Sequence, residues 1–125
     1  MKLGIQSAIL DGMTFEEVID FAAENDFECV EIMCWPVAKA ERKYAGVTHI
    51  DVVDFTQEKA NYINGYLKTR GVEISALGYY PNLLCPDPNE AQIYVEHLKK
   101  VIEASVLLGV NIVTTFIGNN WHKNI

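Results

Sequence analysis

The chain has 125 residues, of which 50% are hydrophobic, and its 10 basic and 17 acidic side chains give a net charge of −7. A half-apolar chain of this length fits one folded domain, and its composition excludes a disordered or low-complexity protein. The acidic balance argues against nonspecific binding to nucleic acid or to an anionic membrane surface, because both depend on a positive surface potential.

The first third of the chain predicts a strand, a helix and a second strand. Residues 2–8 are predicted as a strand, and residues 29–35 form a short, mainly apolar run that is typical of a buried strand. Between them, Thr14 and Glu17 have the spacing of a capping box at the start of a helix. The apolar face of that helix repeats at intervals of three and four residues: Phe15, Val18, Ile19 and Ala22.

The rest of the chain continues this alternation. Residues 36–54 form a polar stretch that is long for a connection in a compact α/β domain, and long loops are usually functional or mobile. Residues 56–70 predict a second helix and residues 72–79 a third strand. Asp87 predicts the start of the longest helix, which should end at Gly109, and residues 110–117 predict a fourth strand.

The predicted order is βαβαβαβ within one domain, residues 1–125. A turn-tolerant residue marks the passage from each helix to the next strand: Asp26, Gly71 and Gly109. Strands joined by helices are parallel, because each crossover returns the chain to the same end of the sheet. In such sheets, ligands bind at the carboxyl ends of the strands.

Glu31 is a carboxylate within the apolar second strand. If its neighbours Val30 and Ile32 pack against helices, alternation directs Glu31 into a barrel interior or a sheet crevice. There it could bind a substrate hydroxyl or pair with a cation. The alternative is a structural carboxylate held by a lysine, an arginine or a backbone N–H, since buried charges are normally paired.

Aromatic residues end three of the predicted strands. Trp35 ends the second strand, Tyr79 the third, followed directly by Tyr80, and Trp121 follows the fourth. Aromatic rings at strand ends suit the apolar face of a sugar ring. Packing at the rim beneath long loops is the alternative.

The long loop carries the remaining polar candidates. Lys39, Arg42 and Lys43 form a basic cluster that could receive a phosphate, although a solvated charge run is the commoner explanation. His49 and Asp51 could form a polar pair on a lid. Two other histidines are not candidates: His97 is expected on the helix surface, and His122 lies too close to the end of the sequence.

Several common sites are excluded by their missing motifs. The sequence has no GxGxxG after the first strand and no GxxxxGK[ST], GxSxG, HExxH or CxxC. Glu31 is the single firm ligand at a strand end, so we predict neither a catalytic residue nor a metal site within these residues. The three cysteines are expected to be reduced thiols in a cytoplasmic protein with no membrane span and no secretory signal.

Short motifs in a fixed order resemble those of one family. They are Val30-Glu31-Ile32, residues 45–52, residues 72–77, Asn82, Pro86-Asp87-Pro88, Leu108-Gly109-Val110 and residues 114–118. In order and spacing they resemble the first half of the sugar phosphate isomerase/epimerase family, whose members are xylose-isomerase-like (β/α)8 TIM barrels. The resemblance implies an α/β fold present as the first half of such a barrel.

The resemblance also implies a function. The family interconverts aldoses and ketoses, or epimerises sugars, through an enediolate, and a divalent metal (Mn, Mg, Co or Zn) polarises the substrate oxygens. The metal ligands and acid/base groups come from the last four strands, so none is assigned here, and this chain alone is expected to be inactive. The residues given possible contacts to a sugar or sugar phosphate are Glu31, Trp35, His49, Tyr79 and Trp121.

Two other interpretations remain open at this point. One is a flavodoxin-like binding or regulatory domain, for which this length is natural, and the other is a barrel fragment that binds a sugar without catalysis. A half-barrel would leave both sheet edges open, so pairing of two copies or completion by the missing C-terminal half is expected.

Overall fold

A computed structural model describes residues 1–37 and 46–121. The basic cluster of Lys39, Arg42 and Lys43 lies outside the described residues, as does His122. The helices and strands follow one another in the predicted order. They are β1 (Gly4–Gln6), α1 (Phe15–Glu24), β2 (Cys29–Met33), α2 (Gln57–Arg70), β3 (Glu73–Gly78), α3 (Pro88–Leu108) and β4 (Val113–Thr114).

The four strands form one parallel sheet with the order β1-β2-β3-β4. A flavodoxin-like sheet has its first two strands exchanged, with the order 2-1-3-4-5. The sequential order therefore argues against the flavodoxin-like alternative. It is the order that successive strands of a (β/α)8 barrel have.

Local sequence signals explain the helix boundaries. Thr14 Oγ1 accepts a hydrogen bond from Glu17 N–H at 3.2 Å, and Glu17 Oε1 accepts from Thr14 N–H at 3.1 Å, so the predicted capping box is confirmed. Asp87 caps α3 by accepting from two backbone N–H groups. Gly71 and Gly109 end α2 and α3 with positive φ angles of 67° and 73°, the left-handed conformation that glycine adopts without strain.

The main core lies between the sheet and the helices. It contains fully buried side chains of α1, β2, β3 and α3: Val18, Ile19, Val30, Ile32, Leu77 and Val101. The other face of the sheet carries polar groups at the carboxyl ends of the strands, described below. The helix-facing side is therefore the structural side of the sheet, as expected for a barrel strand layer.

Three sequence predictions need correction. The first strand ends at Gln6, since Ser7–Leu10 form a 3₁₀ turn in which the buried Ser7 hydroxyl accepts from Met33 N–H at 2.9 Å. The fourth strand is only Val113–Thr114, because in the described residues only β3 pairs with it. His97 is buried, not on the surface, and its Nε2–H donates to the Cys34 carbonyl at 2.7 Å.

Within residues 1–37 and 46–121, no helix is both long enough and apolar enough to cross a membrane. The three cysteines are free thiols, and burial raises the pKa of Cys34 above its usual range.

Candidate functional site

The carboxylate of Glu31 lies at the centre of a polar cluster on the inner face of the sheet. Gln6 Nε2, at the end of β1, donates to Oε2. The Tyr80 and Thr114 hydroxyl oxygens lie 2.7 Å and 2.8 Å from Oε1, and 2.7 Å from one another. Each of the other three strands, or the residues just after it, thus supplies one neutral donor to a single carboxylate.

The pairing of the strands explains this convergence. Gln6 pairs with Glu31, and Gly78 pairs with Thr114, so parallel strands bring these positions to one end of the sheet. None of the donors is a cation, and no salt bridge among the described residues involves Glu31. The structural alternative named a lysine, an arginine or a backbone N–H as the partner of Glu31, and in the described residues neutral side chains take that place.

Gly78 provides the space in which two side chains of the site lie. A Cβ atom at this position would be 2.4 Å from Met33 Cε and 3.1 Å from Tyr80 Cε2. Glycine is therefore needed for close packing rather than for an unusual backbone angle. The Tyr80 ring crosses this space to reach Glu31, and burial, with a contribution from Glu31, raises the pKa of the Tyr80 hydroxyl.

Aromatic rings also lie at or after the carboxyl ends of the strands. The centroids of Tyr80 and Phe116 lie 4.8 Å apart, and Phe116 is exposed. Trp35 packs edge-to-face on Tyr79 at 5.1 Å, and its buried Nε1–H has no hydrogen-bond partner among the described residues. Trp121 lies exposed in a turn beyond β4. The strand ends thus present both a carboxylate and aromatic faces.

Tyr79 is placed differently from its neighbour. Its ring is buried in the core between Trp35 and His97, and burial raises the pKa of its hydroxyl to about 12. The contact to Glu31 is made by Tyr80, a residue that was not among the predicted site residues. The cause is an irregularity in β3: Val30 pairs with Ile74 but Glu31 pairs with Ala76, so Ser75 is an extra residue.

That extra residue reverses the alternation along β3. Val72 and Ile74 belong to the helix-facing core, and beyond Ser75 the core residues are Leu77 and Tyr79. Strict alternation from Ile74 would place Tyr79 on the inner face. A bulge is not visible in the sequence pattern, although the polar Ser75 in an apolar strand is a weak signal for one.

His49 fastens the long loop to the turn after β1. Its Nε2 lies 3.1 Å from the Leu10 carbonyl, which can only accept, so Nε2 carries the proton and Nδ1 accepts from the Ser7 hydroxyl at 2.9 Å. Burial lowers the pKa of His49. Asp51, its predicted lid partner, accepts instead from Val53 N–H at 3.0 Å.

The described residues do not fit a divalent metal. No group of three or more His, Cys, Asp or Glu side chains comes together within residues 1–37 and 46–121. At the strand ends Glu31 contributes a carboxylate whose two oxygens already accept hydrogen bonds. A metal would need two or three further ligands at this end of the sheet.

The sequence of residues 19–125 matches a family described as xylose isomerase-like TIM barrel. The chain belongs to this family. The four parallel strands with their helices are therefore the first half of a xylose isomerase-like barrel, as predicted.

Solved structures show the same fold at low sequence identity. A D-psicose 3-epimerase crystallised in the presence of D-fructose has a TM-score of 0.65 and 14% identity, with 100% of this chain and 42% of that chain covered. The D-psicose 3-epimerase of Clostridium cellulolyticum H10, with D-tagatose, has a TM-score of 0.63 and 18% identity, with the same two coverages. The probable 3-DHS dehydratase AsbF of Bacillus anthracis has 0.58 and 19%, with 93% and 38% covered.

No curated protein sequence matches the chain significantly. The chain spans less than half the length of these solved structures. At these identities the likeness shows the fold alone, and the named reactions belong to those proteins.

Proposed function

We propose that this xylose isomerase-like half-barrel forms part of the substrate pocket of a sugar isomerase or epimerase. The supporting observation is the Glu31 cluster, in which one carboxylate at the strand ends meets a neutral donor from each of the other strands. A carboxylate among aromatic faces suits a polyol, whose hydroxyls donate to the oxygens while its C–H face packs on a ring.

In this proposal the residues of the chain bind and orient the sugar. Glu31 accepts from a substrate hydroxyl, and the Tyr80 and Phe116 rings form an apolar wall beside it. The exposed Trp121 and the partly buried Trp35 extend the wall. Tyr79 and His49 act indirectly, since Tyr79 supports Trp35 and His49 holds the loop against β1.

The chemical step is assigned to residues beyond these strands. Aldose–ketose isomerisation or epimerisation through an enediolate needs acid/base groups, and a divalent metal would polarise the substrate oxygens. No group of three or more His, Cys, Asp or Glu side chains that could hold such a metal comes together in the described residues. We therefore expect the 125-residue polypeptide to show no turnover of a ketose when Mn²⁺ is added, and measurable turnover would contradict this assignment.

A direct test is sugar binding followed by tryptophan fluorescence, with D-fructose as the probe. The substitution Glu31→Gln keeps the shape of the side chain but removes its charge, so we expect the affinity for D-fructose to fall about tenfold or more. Glu73→Gln is the matched control, because Glu73 lies at the opposite end of the sheet and pairs with Lys2 at 2.5 Å. Equal affinities for both variants would contradict the proposed site.

A sugar-binding protein without catalysis is the second candidate. It rests on the same cluster, in which Glu31 and its neutral donors can hold a polyol without any chemical step. Sugar binding without turnover, in the longest polypeptide that contains this domain, would support the sugar-binding protein over the isomerase.

Whether the ligand is a free sugar or a sugar phosphate is tested by comparing the affinities for D-fructose and for its phosphate in the tryptophan-fluorescence titration.

The isolated polypeptide is also expected to associate. Side chains on both sheet edges and beside α3 are large, apolar and exposed: Leu3, Ile9, Ile102, Val106, Ile112 and Ile117. In a (β/α)8 barrel, further strands and helices would cover them, and here a second copy or the other half of the barrel would do so. Light scattering tests this, and a monomer at high concentration would contradict it.

We propose the cytoplasm as the location of the protein, because its three cysteines are free thiols, as is usual in a reducing compartment.

A further inference from the structure

One side chain joins the loops that follow β3 and β4. Asn82 Nδ2 donates to the Asn119 carbonyl at 2.7 Å, and Asn119 N–H donates to Asn82 Oδ1 at 2.7 Å. Leu84 N–H donates to the same oxygen at 3.3 Å, which fixes the orientation of the amide. The Asn82 side chain therefore pairs with both backbone groups of Asn119, as two opposed residues do in an antiparallel ladder.

Gly118 allows this close approach. Its φ angle is 98°, a conformation that L-residues rarely adopt, and a Cβ atom there would lie 1.9 Å from Asn82 Oδ1. Two independent requirements, the backbone angle and the space, therefore demand glycine at this position. We call the junction of Asn82, Gly118 and Asn119 the loop clamp.

The loop clamp lies next to the pair of strands β3 and β4, which share few backbone hydrogen bonds. β3 and β4 share only two residue pairs, Leu77 with Val113 and Gly78 with Thr114. The side-chain amide of Asn82 adds two further hydrogen bonds beyond the end of the ladder. It thereby secures the edge strand on the side of the binding face.

β4 and the segment between it and the loop clamp each carry one residue of the proposed site. Thr114 lies 2.8 Å from the Glu31 carboxylate, and Phe116 packs on Tyr80. Both side chains would shift if the backbone that follows β4 moved away from β3. Their positions thus depend on the distance at which Asn82 holds Asn119.

We infer that Asn82 is a positioning residue, which holds residues 115–121 so that Thr114 and Phe116 stay against Glu31 and Tyr80. The structural part of this inference stands on the hydrogen bonds alone. The effect of Asn82 on ligand affinity rests on the proposed sugar-binding function. Amide exchange and ligand affinity are therefore measured separately.

The structural readout is amide hydrogen exchange measured by NMR. In Asn82→Ala we expect the Asn119 amide to exchange about tenfold faster, with the neighbouring amides of residues 113–121 also faster and those of β2 unchanged. Asn64→Ala is the matched control, because Asn64, in the middle of α2, also donates from Nδ2 to a backbone carbonyl, that of Leu108 at the end of α3, at 3.1 Å. Unchanged exchange at Asn119 would overturn the inference, as would the same pattern in both variants.

Asn82→Asp keeps the test decisive if the alanine variant does not fold. Aspartate retains the acceptor for Asn119 N–H and Leu84 N–H but has no N–H to donate to the Asn119 carbonyl, so exchange at residues 113–121 should be faster than in the unmodified chain. Exchange equal to that of the unmodified chain would overturn the inference.

The ligand readout uses the affinity for D-fructose. We expect Asn82→Ala to bind D-fructose about tenfold more weakly and Asn64→Ala to bind it as the unmodified chain does. If the unmodified chain binds no sugar, the proposed function fails, while the exchange data still decide whether the loop clamp exists. Faster exchange with unchanged affinity would overturn the positioning role.

Discussion

The two faces of the sheet differ in what they contain. The helix-facing side carries aliphatic side chains with no exposure, such as Val30, Ile32 and Leu77. The inner face carries Glu31 and its neutral donors, and much of it is accessible. The packed core and the proposed ligand contacts thus lie on opposite faces of the same strands. The one-residue irregularity at Ser75 decides on which face each later side chain of β3 lies.

The largest effect is expected on the helix-facing side. Leu77→Ala should lower the free energy of unfolding by about 2–5 kcal/mol, because it leaves a cavity in the fully packed core. Thr114→Val, which keeps the side-chain volume on the inner face but removes the hydroxyl beside Glu31, should cost about 1–2 kcal/mol. Urea unfolding measures both values. Similar losses in the free energy of unfolding for the two variants would contradict the assignment of stability mainly to the helix-facing side.

A smaller effect is expected where the inner face is crowded. Gly78→Ala should cost about 1–3 kcal/mol, because its methyl group would displace the Met33 terminus and the Tyr80 ring. Gly65→Ala is the control, since a Cβ there meets nothing within 4 Å in the helix α2, and this change should stabilise the chain by about 0.5–1 kcal/mol. If Gly78→Ala stabilised the chain as much as Gly65→Ala, this would contradict the inference that Met33 and Tyr80 leave no room for a methyl group at position 78.

The smallest effect concerns pH and the histidine that fastens the long loop. Burial lowers the folded-state pKa of His49 below its ordinary value of 6.5, so the unfolded chain binds the proton more readily. Stability that is fully present above pH 6.5 is therefore lost as the pH falls through 6.5 towards the lowered pKa. Urea unfolding at several pH values between about 7 and 5 measures this loss. His49→Gln should weaken the dependence, and an unchanged slope would contradict the assignment.

The sequence predicts those parts of the fold that depend on local signals. The capping box of Thr14 and Glu17, the Asp87 cap and the glycines after α2 and α3 each act within a few residues, and all occur as expected. Glu31 was found because a charge within an apolar strand is conspicuous. Its placement at the strand ends follows from the parallel pairing alone.

The parts that were missed depend on pairing between distant residues. The bulge at Ser75 exists only relative to β2, so the sequence could not show that Tyr80 rather than Tyr79 faces Glu31. His97 follows the charged Glu96 along α3, yet its ring is buried and donates a hydrogen bond to the carbonyl of Cys34, 63 positions away. Such contacts are set by packing and not by periodicity.

The sequential order of the strands has a consequence for folding. Among the described strands, each strand after β1 pairs with the strand that precedes it in the chain, so its partner is already present when it forms. Loop closure is then limited to one βα unit at a time, which favours fast assembly. During synthesis, each βα unit could therefore fold as it leaves the ribosome. Each new strand would pair with the sheet already formed, and β4 would be the strand to which the next one is added.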